Sequence, residues 1–536
     1  MEDLKNQASA DVDDNNDGTS SPAIHKSSGD DGIMLIPRPS DDPRDPLNWP
    51  VRRKIPIVAT LCLATFAGYS SGLALQLVPK PQSALYGVTT TQMAYQNSCA
   101  TGGMAIGGFV FFPLSHKFGR SSAVFWSLFG LMIAQIWGAC MTSPDDYAHY
   151  LGSRFLAGFF GSVTGILGPR ILIDLFFLHQ RGRAFTAFHF FFDFGTVCGP
   201  TLGAFVAAGR SWTAAVWYEF ALVAFSFLMC FCFLYETGWD RDPGASHESP
   251  PKAFIANRVA TFFPGTKVAP PTSWLQFLKV AARPFIVAFT PVTIILGCFT
   301  LVSFGFYIAM NAITPVWLQK PEKIGGYGFT SRQNALFSFT HWVGISLAWL
   351  YGQLASDRVP LYICSRRGGT WKPEYRLHAL WFPALLCSPI GLGVFGAALF
   401  NHWHWITLGV AQVMVTFGSL CCTPITVNYA CEIFTTAPAE VAIILNLYRI
   451  GYGLSVAFYI NPWVDLMGFN WAYGMMAFLQ AFSFLFVGLL MWKGHEIRQW
   501  KLGGLLNSEE GECVIDEKHS SGLEAQAECR QDSQRS

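Results

Sequence analysis

Apolar residues fall in long unbroken runs separated by short polar punctuation, with no alternation of period two. A membrane-crossing helix needs ~20 mostly apolar residues to traverse ~30 Å of hydrocarbon. That ruler picks out runs at 55–78, 92–114, 121–141, 147–171, 183–208 and 212–235, then at 287–318, 332–355, 377–400, 403–427, 439–460 and 470–492. A polar stretch from about Thr237 to Arg283 divides the two sets of six. Long unalternating runs exclude barrel strands, and helices or closed barrels are the only forms that satisfy the backbone in lipid. The pattern predicts an all-α integral membrane protein with twelve transmembrane helices.

Composition narrows the class further. Of 536 residues, 51% are apolar and 13% charged, with a mean hydropathy of +0.32 and a formal charge of +1. Soluble domains carry about a quarter charged residues and their cores stop growing near ~300 residues, so a soluble enzyme is excluded. No basic field exists for nucleic acid. The polar ends, rich in Asp, Glu, Ser and Gly, bury too little apolar surface to order themselves. The expected organisation is a disordered cytoplasmic tail over 1–54, a six-helix bundle over 55–235, and a cytoplasmic central loop over 236–284. A second six-helix bundle follows over 285–492, and a disordered cytoplasmic tail over 493–536. No cleavable signal peptide opens the chain, since the first apolar run begins near Ile55 after an acidic stretch.

Cations set the orientation. With the amino terminus inside, the inner segments hold Arg52, Arg53, Lys54, Lys117, Arg120, Arg181, Arg183 and most of the remaining Lys and Arg. The outer loops hold only Lys80, Arg210, Lys320, Lys323 and Arg332. Both termini are therefore expected in the cytoplasm. Most of the 14 cysteines lie in apolar runs as small hydrophobes, and no CxxC pair suggests zinc or a disulfide framework. His402-Trp403-His404 reads as an interfacial loop with an anchoring tryptophan.

The two halves share hairpin positions. Pro113-Leu114-Ser115-His116-Lys117-Phe118-Gly119-Arg120 joins spans 2 and 3, and Gly352-Gln353-Leu354-Ala355-Ser356-Asp357-Arg358 joins spans 8 and 9. Ile173-Asp174-Leu175-Phe176 after span 4 corresponds to Cys431-Glu432-Ile433-Phe434 after span 10. A duplicated six-helix unit of this kind rocks about a site near the midplane.

The chain resembles the major facilitator superfamily, and within it the fungal twelve-span drug:proton antiporters. Asp45-Pro46-Leu47-Asn48-Trp49-Pro50 resembles the entry signature of that group, and Arg366-Arg367-Gly368-Gly369 with Pro373-Glu374-Tyr375-Arg376-Leu377 resembles its span 8–9 loop. Gly152-Ser153-Arg154-Phe155-Leu156-Ala157-Gly158 resembles the superfamily motif with an intramembrane arginine. Gly195-Thr196-Val197-Cys198-Gly199-Pro200-Thr201-Leu202-Gly203-Ala204 resembles the antiporter motif, with Ala204 in place of its last glycine. The resemblance covers about residues 44–495 and implies two pseudo-symmetric six-helix bundles. The hairpin aspartate of the superfamily falls at His116, so the gripping carboxylate of the first half is absent there while Asp357 is present in the second. That role is expected to pass to Asp174 with Arg181 and Arg183. The cytoplasmic gate then comprises Asp174, Arg181, Arg183, His116, Lys117, Arg120, Gly352, Asp357 and Arg358, with His116 itself read as a loop histidine.

Gly195, Gly199 and Gly203 recur every four residues, which puts three positions without side chains on one face of span 5 beside the helix-bending Pro200. Ions in hydrocarbon cost several kcal/mol and mark a pathway or a pair. Arg154 lies ~10 Å below the outer end of span 4 and Asp193 ~14 Å from the inner end of span 5 by helical rise, heights that bring them within reach of each other. The reading takes Asp193 as the proton carrier, Arg154 as the charge that stabilises its carboxylate, and His189 one turn earlier as a relay or a packing residue. A permanent structural ion pair is the competing role. Glu219 in span 6 and Arg449 in span 11, with Asn446 one turn before it, are further intramembrane polar groups; Glu219 and Asp193 are candidate partners of Arg449. The resemblance places the substrate cavity among spans 1, 4, 7 and 10, with candidate linings Gln76, Asn311, His341, Trp342, Asn428 and Tyr429.

The function these features predict is proton-coupled export of hydrophobic small molecules, such as drugs or secondary metabolites, by alternating access at the plasma membrane. The expected partners are that substrate, protons and the bilayer, with no cofactor, metal or obligate protein partner. A proton-coupled nutrient importer and a non-transporting sensor are the alternatives. A membrane enzyme would need a nucleophile–base or metal constellation at one membrane face, and the sequence offers none. Direct ATP use lacks its GxxxxGK[ST] loop.

Overall fold

The computed structural model describes residues 40, 42–239, 251–263, 273–322, 325–355, 358–367, 372–434 and 437–498, and among them every regular element is helical. Ten segments are long and apolar enough to cross a bilayer. Two further helices, Phe339–Ala355 and the one over 438–467, stand where the eighth and eleventh runs lie. In the first half the spanning helices are α1 (Val51–Leu73), α2 (Tyr95–Phe118), α3 (Arg120–Cys140), α4 (Tyr147–Gly161 continued by Val163–Leu175), α5 (Leu178–Gly209) and α6 (Trp212–Phe233). In the second they are α7 (Pro291–Leu318), α8 (Ser331–Phe337 continued by Phe339–Ala355), α9 (Pro373–Leu380 through Ser388–Phe400), α10 (Trp405–Ile433), α11 (438–467) and α12 (469–498).

Turn chemistry explains where the helices reverse. Gly119, at φ 97°, separates α2 from α3, and Gly468, at φ 75°, separates α11 from α12. Both lie in the left-handed region, where only glycine avoids a steric penalty. On α12 the exposed apolar residues Trp471, Met475, Phe478, Phe482, Leu485, Leu489 and Trp492 recur at spacings of three and four. They form one lipid-facing stripe, and its two tryptophans stand ~30 Å apart by helical rise, the thickness of a hydrocarbon core.

Each half has its own core. Leu61, Leu128, Leu167, Phe188 and Val223 pack together in the first, drawing on α1, α3, α4, α5 and α6. Phe299, Tyr429, Leu445 and Val487 form the inner core of the second, while Met310, Phe395, Val415 and Tyr473 form its outer core. Two small clusters bridge the halves: Tyr69, Met104 and Phe192 with Ile450, and Phe112 and Ile166 with Ala439 and Ile443. The bundles thus meet where α11 lies along α2 and α4.

Two expectations for the polar segments are corrected. The tail placed at 1–54 is folded from residue 42 onward, because its polar residues are turn formers. Asp45 is buried and accepts from the backbone N–H groups of Ser40 and Leu47, and Trp49 Nε1 donates to the Arg44 carbonyl. Arg53 lies over both Trp49 and Tyr235, at 4.0 and 4.4 Å, and Arg258 covers Tyr235 at 4.0 Å. The central loop carries two helices, Phe254–Phe262 and Trp274–Ala288. The first docks on α3, where the Phe262 ring stacks on Phe125 at 4.3 Å and its carbonyl accepts from Ser122 and Trp126. The second meets α2, where Lys117 lies 2.9 Å over the Trp274 ring.

Candidate functional site

The glycine face of α5 is pressed against α1. A Cβ at Gly195 would fall 2.7 Å from the Phe66 carbonyl oxygen, and one at Gly199 would fall 2.6 Å from Ser70 Cα, while Gly203 abuts Ala74. Pro200 lies inside α5 and lines a cavity between the bundles. Half a turn below Gly195, α5 presents Asp193 to the other bundle.

Asp193 is paired with Arg449 of α11. The carboxylate lies 3.7 Å from the guanidinium, with 10% and 4% of the two side chains exposed. The Arg449 guanidinium lies 4.5 Å over Phe192 and 4.7 Å over Phe304, so aromatic faces enclose it. Among the described residues, neither the facing carboxylate oxygen nor Arg449 Nη1 has a hydrogen-bond partner. The attraction is coulombic and spans the seam between the two bundles.

This overturns the pairing of Asp193 with Arg154. Arg154 points into the first bundle, where its Nη2 donates to Gln135 at 2.9 Å and its Nη1 to the Ser71 carbonyl at 3.2 Å. Its height matched that of Asp193, but its direction round α4 faces α1 and α3. Glu219 is fully buried, and both of its oxygens accept from the Ser70 hydroxyl at 2.9 and 3.1 Å. It therefore does not pair with Arg449. Ser70 and Ser71 thus place one turn of α1 between a buried acid on α6 and a buried base on α4. His189 sits among Phe185, Phe188 and Phe192, and neither ring nitrogen has a hydrogen-bond partner among the described residues. Asn446 is partly buried on α11.

Outward of Asp193 lies a small cavity, lined in part by Gln76, Thr196, Tyr307, Asn311, His341 and Gln412. Gln76, Asn311 and His341 are therefore on its wall. Trp342, Asn428 and Tyr429 are not. Trp342 donates from Nε1 to Thr201 and packs edge-on against Phe194, joining α8 to α5 beside the cavity. Tyr429 is buried in the inner core of the second bundle, and Asn428 is partly buried beside it on α10. On the outer side the bundles are tied by Thr201 to Ser338 at 2.8 Å and by Lys80 to the Gln319 carbonyl at 2.6 Å.

At the end of the bundle that carries the α2–α3 hairpin, Asp174 pairs with Arg120. The Glu236 carboxylate accepts from the backbone N–H groups of Arg120 and Ser121, both at 3.1 Å, and so caps α3. Asp174 thus grips Arg120, one hairpin away from the position of His116. The side chains of Arg181 and Arg183 lie outside the described residues, as does Asp357. His116 is in the last turn of α2, edge-on to Phe112. The second half repeats the arrangement: Arg376 at the start of α9 pairs with Glu432 at the end of α10 at 2.6 Å, and Arg498 near the end of α12 pairs with Glu374 at 3.0 Å. Gly352 has open space around it, and Arg358 is exposed at the start of the helix Arg358–Arg366.

Sequence reasoning missed Gln135, Gln412, Tyr307 and Thr196. Gln135 and Gln412 carried a signal, each being an isolated amide in an otherwise apolar stretch. Thr196 lay inside the antiporter-like run without being singled out, and Tyr307 carried no signal, since such residues are common in buried helices.

The family model described as Major Facilitator Superfamily matches residues 58–458. Efflux pump FUBT of Fusarium oxysporum is 26% identical over 82% of this chain and 71% of its own length. MFS-type transporter penM of Penicillium rubens is 25% identical over 85% and 88%, and multidrug transporter TPO1_2 of Candida glabrata 24% identical over 84% and 76%. The fold is similar to that of the proton:xylose symporter XylE bound to 6-bromo-6-deoxy-D-glucose, with a TM-score of 0.56 at 15% identity over 83% of this chain and 96% of that one. With two helical bundles enclosing a cavity and a family match across most of its length, the chain belongs to the Major Facilitator Superfamily and is a membrane transporter of small molecules, not an enzyme.

Proposed function

We propose that this transporter is a proton-coupled exporter working by alternating access, with Asp193 as its proton site. The observation that carries the reading is the Asp193–Arg449 pair, buried at the seam between the bundles and immediately inward of the cavity. Protonating Asp193 removes the attraction and leaves Arg449 to its aromatic faces, so the proton biases how closely α5 and α11 approach. The loose 3.7 Å contact, without a hydrogen bond to hold it, suits a pair that must open in each cycle. Arg449 takes the place that the sequence reading gave to Arg154, and His189 one turn inward is positioned to pass the proton toward the cytoplasm. Export is supported by the antiporter-like run of α5 and by the efflux pumps among the relatives. The plasma membrane and cytoplasmic termini complete the reading, with the inner hairpins forming the cytoplasmic gate.

Asp193→Asn tests it in inside-out vesicles. Transport driven by an imposed pH gradient should fall to background, while substrate exchange at equal pH on both sides persists, because exchange needs no net proton movement. Undiminished gradient-driven transport overturns the role of Asp193. Accumulation by cells that overexpress the wild-type protein reverses the direction and favours the nutrient importer.

A further inference from the structure

The chemistry of the cavity wall bears on what it selects. Besides the six residues already placed on that wall, Thr314, Asn334 and Ser338 also face it, so neutral hydrogen-bonding groups outnumber aliphatic ones. Among the described residues, no carboxylate, lysine or arginine belongs to the lining. Asp193 and Arg449, inward of the cavity, face each other rather than its wall.

Two polar atoms define the pattern. His341 Nδ1 meets the Thr416 hydroxyl at 2.9 Å, and its Nε2 meets the amide nitrogen of Gln412. Gln412, 2% exposed, is left with an Oε1 that has no partner among the described residues. Asn311 also lines the cavity, and its Oδ1 likewise has no partner among the described residues. A buried carbonyl without a donor is left unsatisfied, and a ligand N–H or O–H would satisfy it. Both unmet groups are acceptors.

We propose that the cavity selects neutral organic molecules bearing hydroxyl or amide N–H donors, and disfavours lipophilic cations and donor-free hydrophobes. The inference rests on the transporter reading only in taking this cavity as the substrate site.

The test measures binding and transport separately on the full-length protein. Thermal shift in detergent and uptake into inside-out vesicles are read with brefeldin A and cycloheximide as neutral donor-bearing probes, their O-acetylated derivatives as partners with fewer donors, and tetraphenylphosphonium as a donor-free cation. Binding of at least one parent compound, at least tenfold tighter than its acetate and than the cation, is expected. Asn311→Leu should abolish that tenfold preference. Gln412→Leu should act the same way, and the first variant guards against loss of the His341 contact. Equal binding of parents and acetates, tighter binding of the cation, or no binding of either parent overturns the selectivity. Donor-selective binding without export leaves the selectivity standing and sinks the exporter reading instead.

Discussion

At the residue scale, the question is how ions survive in a hydrocarbon layer. Asp193 and Arg449 do so by mutual attraction, whereas Glu219 relies on Ser70 and Arg154 on Gln135 and a backbone carbonyl. Removing one member of a buried ion pair strands the other, at a cost of about 3–5 kcal/mol, whereas removing both is much milder. Arg449→Leu and Asp193→Leu should therefore each lower the melting temperature in detergent, and the double variant should be more stable than either. Simple additivity would show that the two groups do not interact in the folded protein. Ser70→Ala leaves Glu219 without its hydroxyl donor and should destabilise by about 1–3 kcal/mol, an effect that Glu219→Gln in the same background should largely relieve. The sequence made the ions themselves legible, since Asp193, Glu219, Arg154 and Arg449 stand out in apolar runs. Asp193 stood among the candidate partners of Arg449 and is the one found, whereas the partners of Glu219 and Arg154 were not legible. Helical rise gives the height of a residue but not which way its side chain points, and Arg154 failed on that coordinate.

At the element scale, packing of α5 on α1 is decided by atoms that are absent. A methyl at Gly199 meets the Ser70 backbone and hydroxyl within 2.7 Å, and in a helix–helix seam the backbones must separate to accept it. A methyl at Gly393 of α9 would meet nothing within 4 Å, which makes that position a matched control. Gly393→Ala should be neutral or stabilising by up to about 1 kcal/mol, as a helical glycine replaced without strain. Gly199→Ala should lower the melting temperature and cut transport severalfold. Equal behaviour of the two would mean that α5 lies farther from α1 than 2.7 Å contacts allow. The existence of the spans was legible from apolar runs alone, and so was the twofold repeat of hairpins. Finer features were not. Ser162 and Ser338 interrupt α4 and α8, and the helices Phe254–Phe262 and Trp274–Ala288 are too short and too polar on one face for a ruler of ~20 residues to register. The fold of 42–50 is written in Asp, Pro and Asn, residues that composition alone counts as solvated.

For the whole molecule, orientation is the property on which gradient coupling depends, since a proton site has a direction only relative to the membrane faces. The two ends of the bundles differ in charge. The inner ends of the helices carry the ion pairs Arg120–Asp174, Arg376–Glu432 and Arg498–Glu374, while the outer side is tied by neutral hydrogen bonds and one lysine. The chain also crosses an odd number of times between the outer end of α3 and the hairpin that joins α8 to α9, so those two points lie on opposite faces. Cys140 is exposed at the first point, and Ser365 is exposed at the second. In intact cells a membrane-impermeant maleimide should therefore modify Cys140 in the wild-type protein and leave Ser365→Cys untouched until the membrane is permeabilised, as read by peptide mapping. Labelling of Ser365→Cys in intact cells, with Cys140 protected, would invert the molecule and turn the proposed exporter into a protein whose Asp193 faces the gradient from the other side. Labelling of both would break the odd crossing count, and with it the pairing of two six-helix bundles about one cavity.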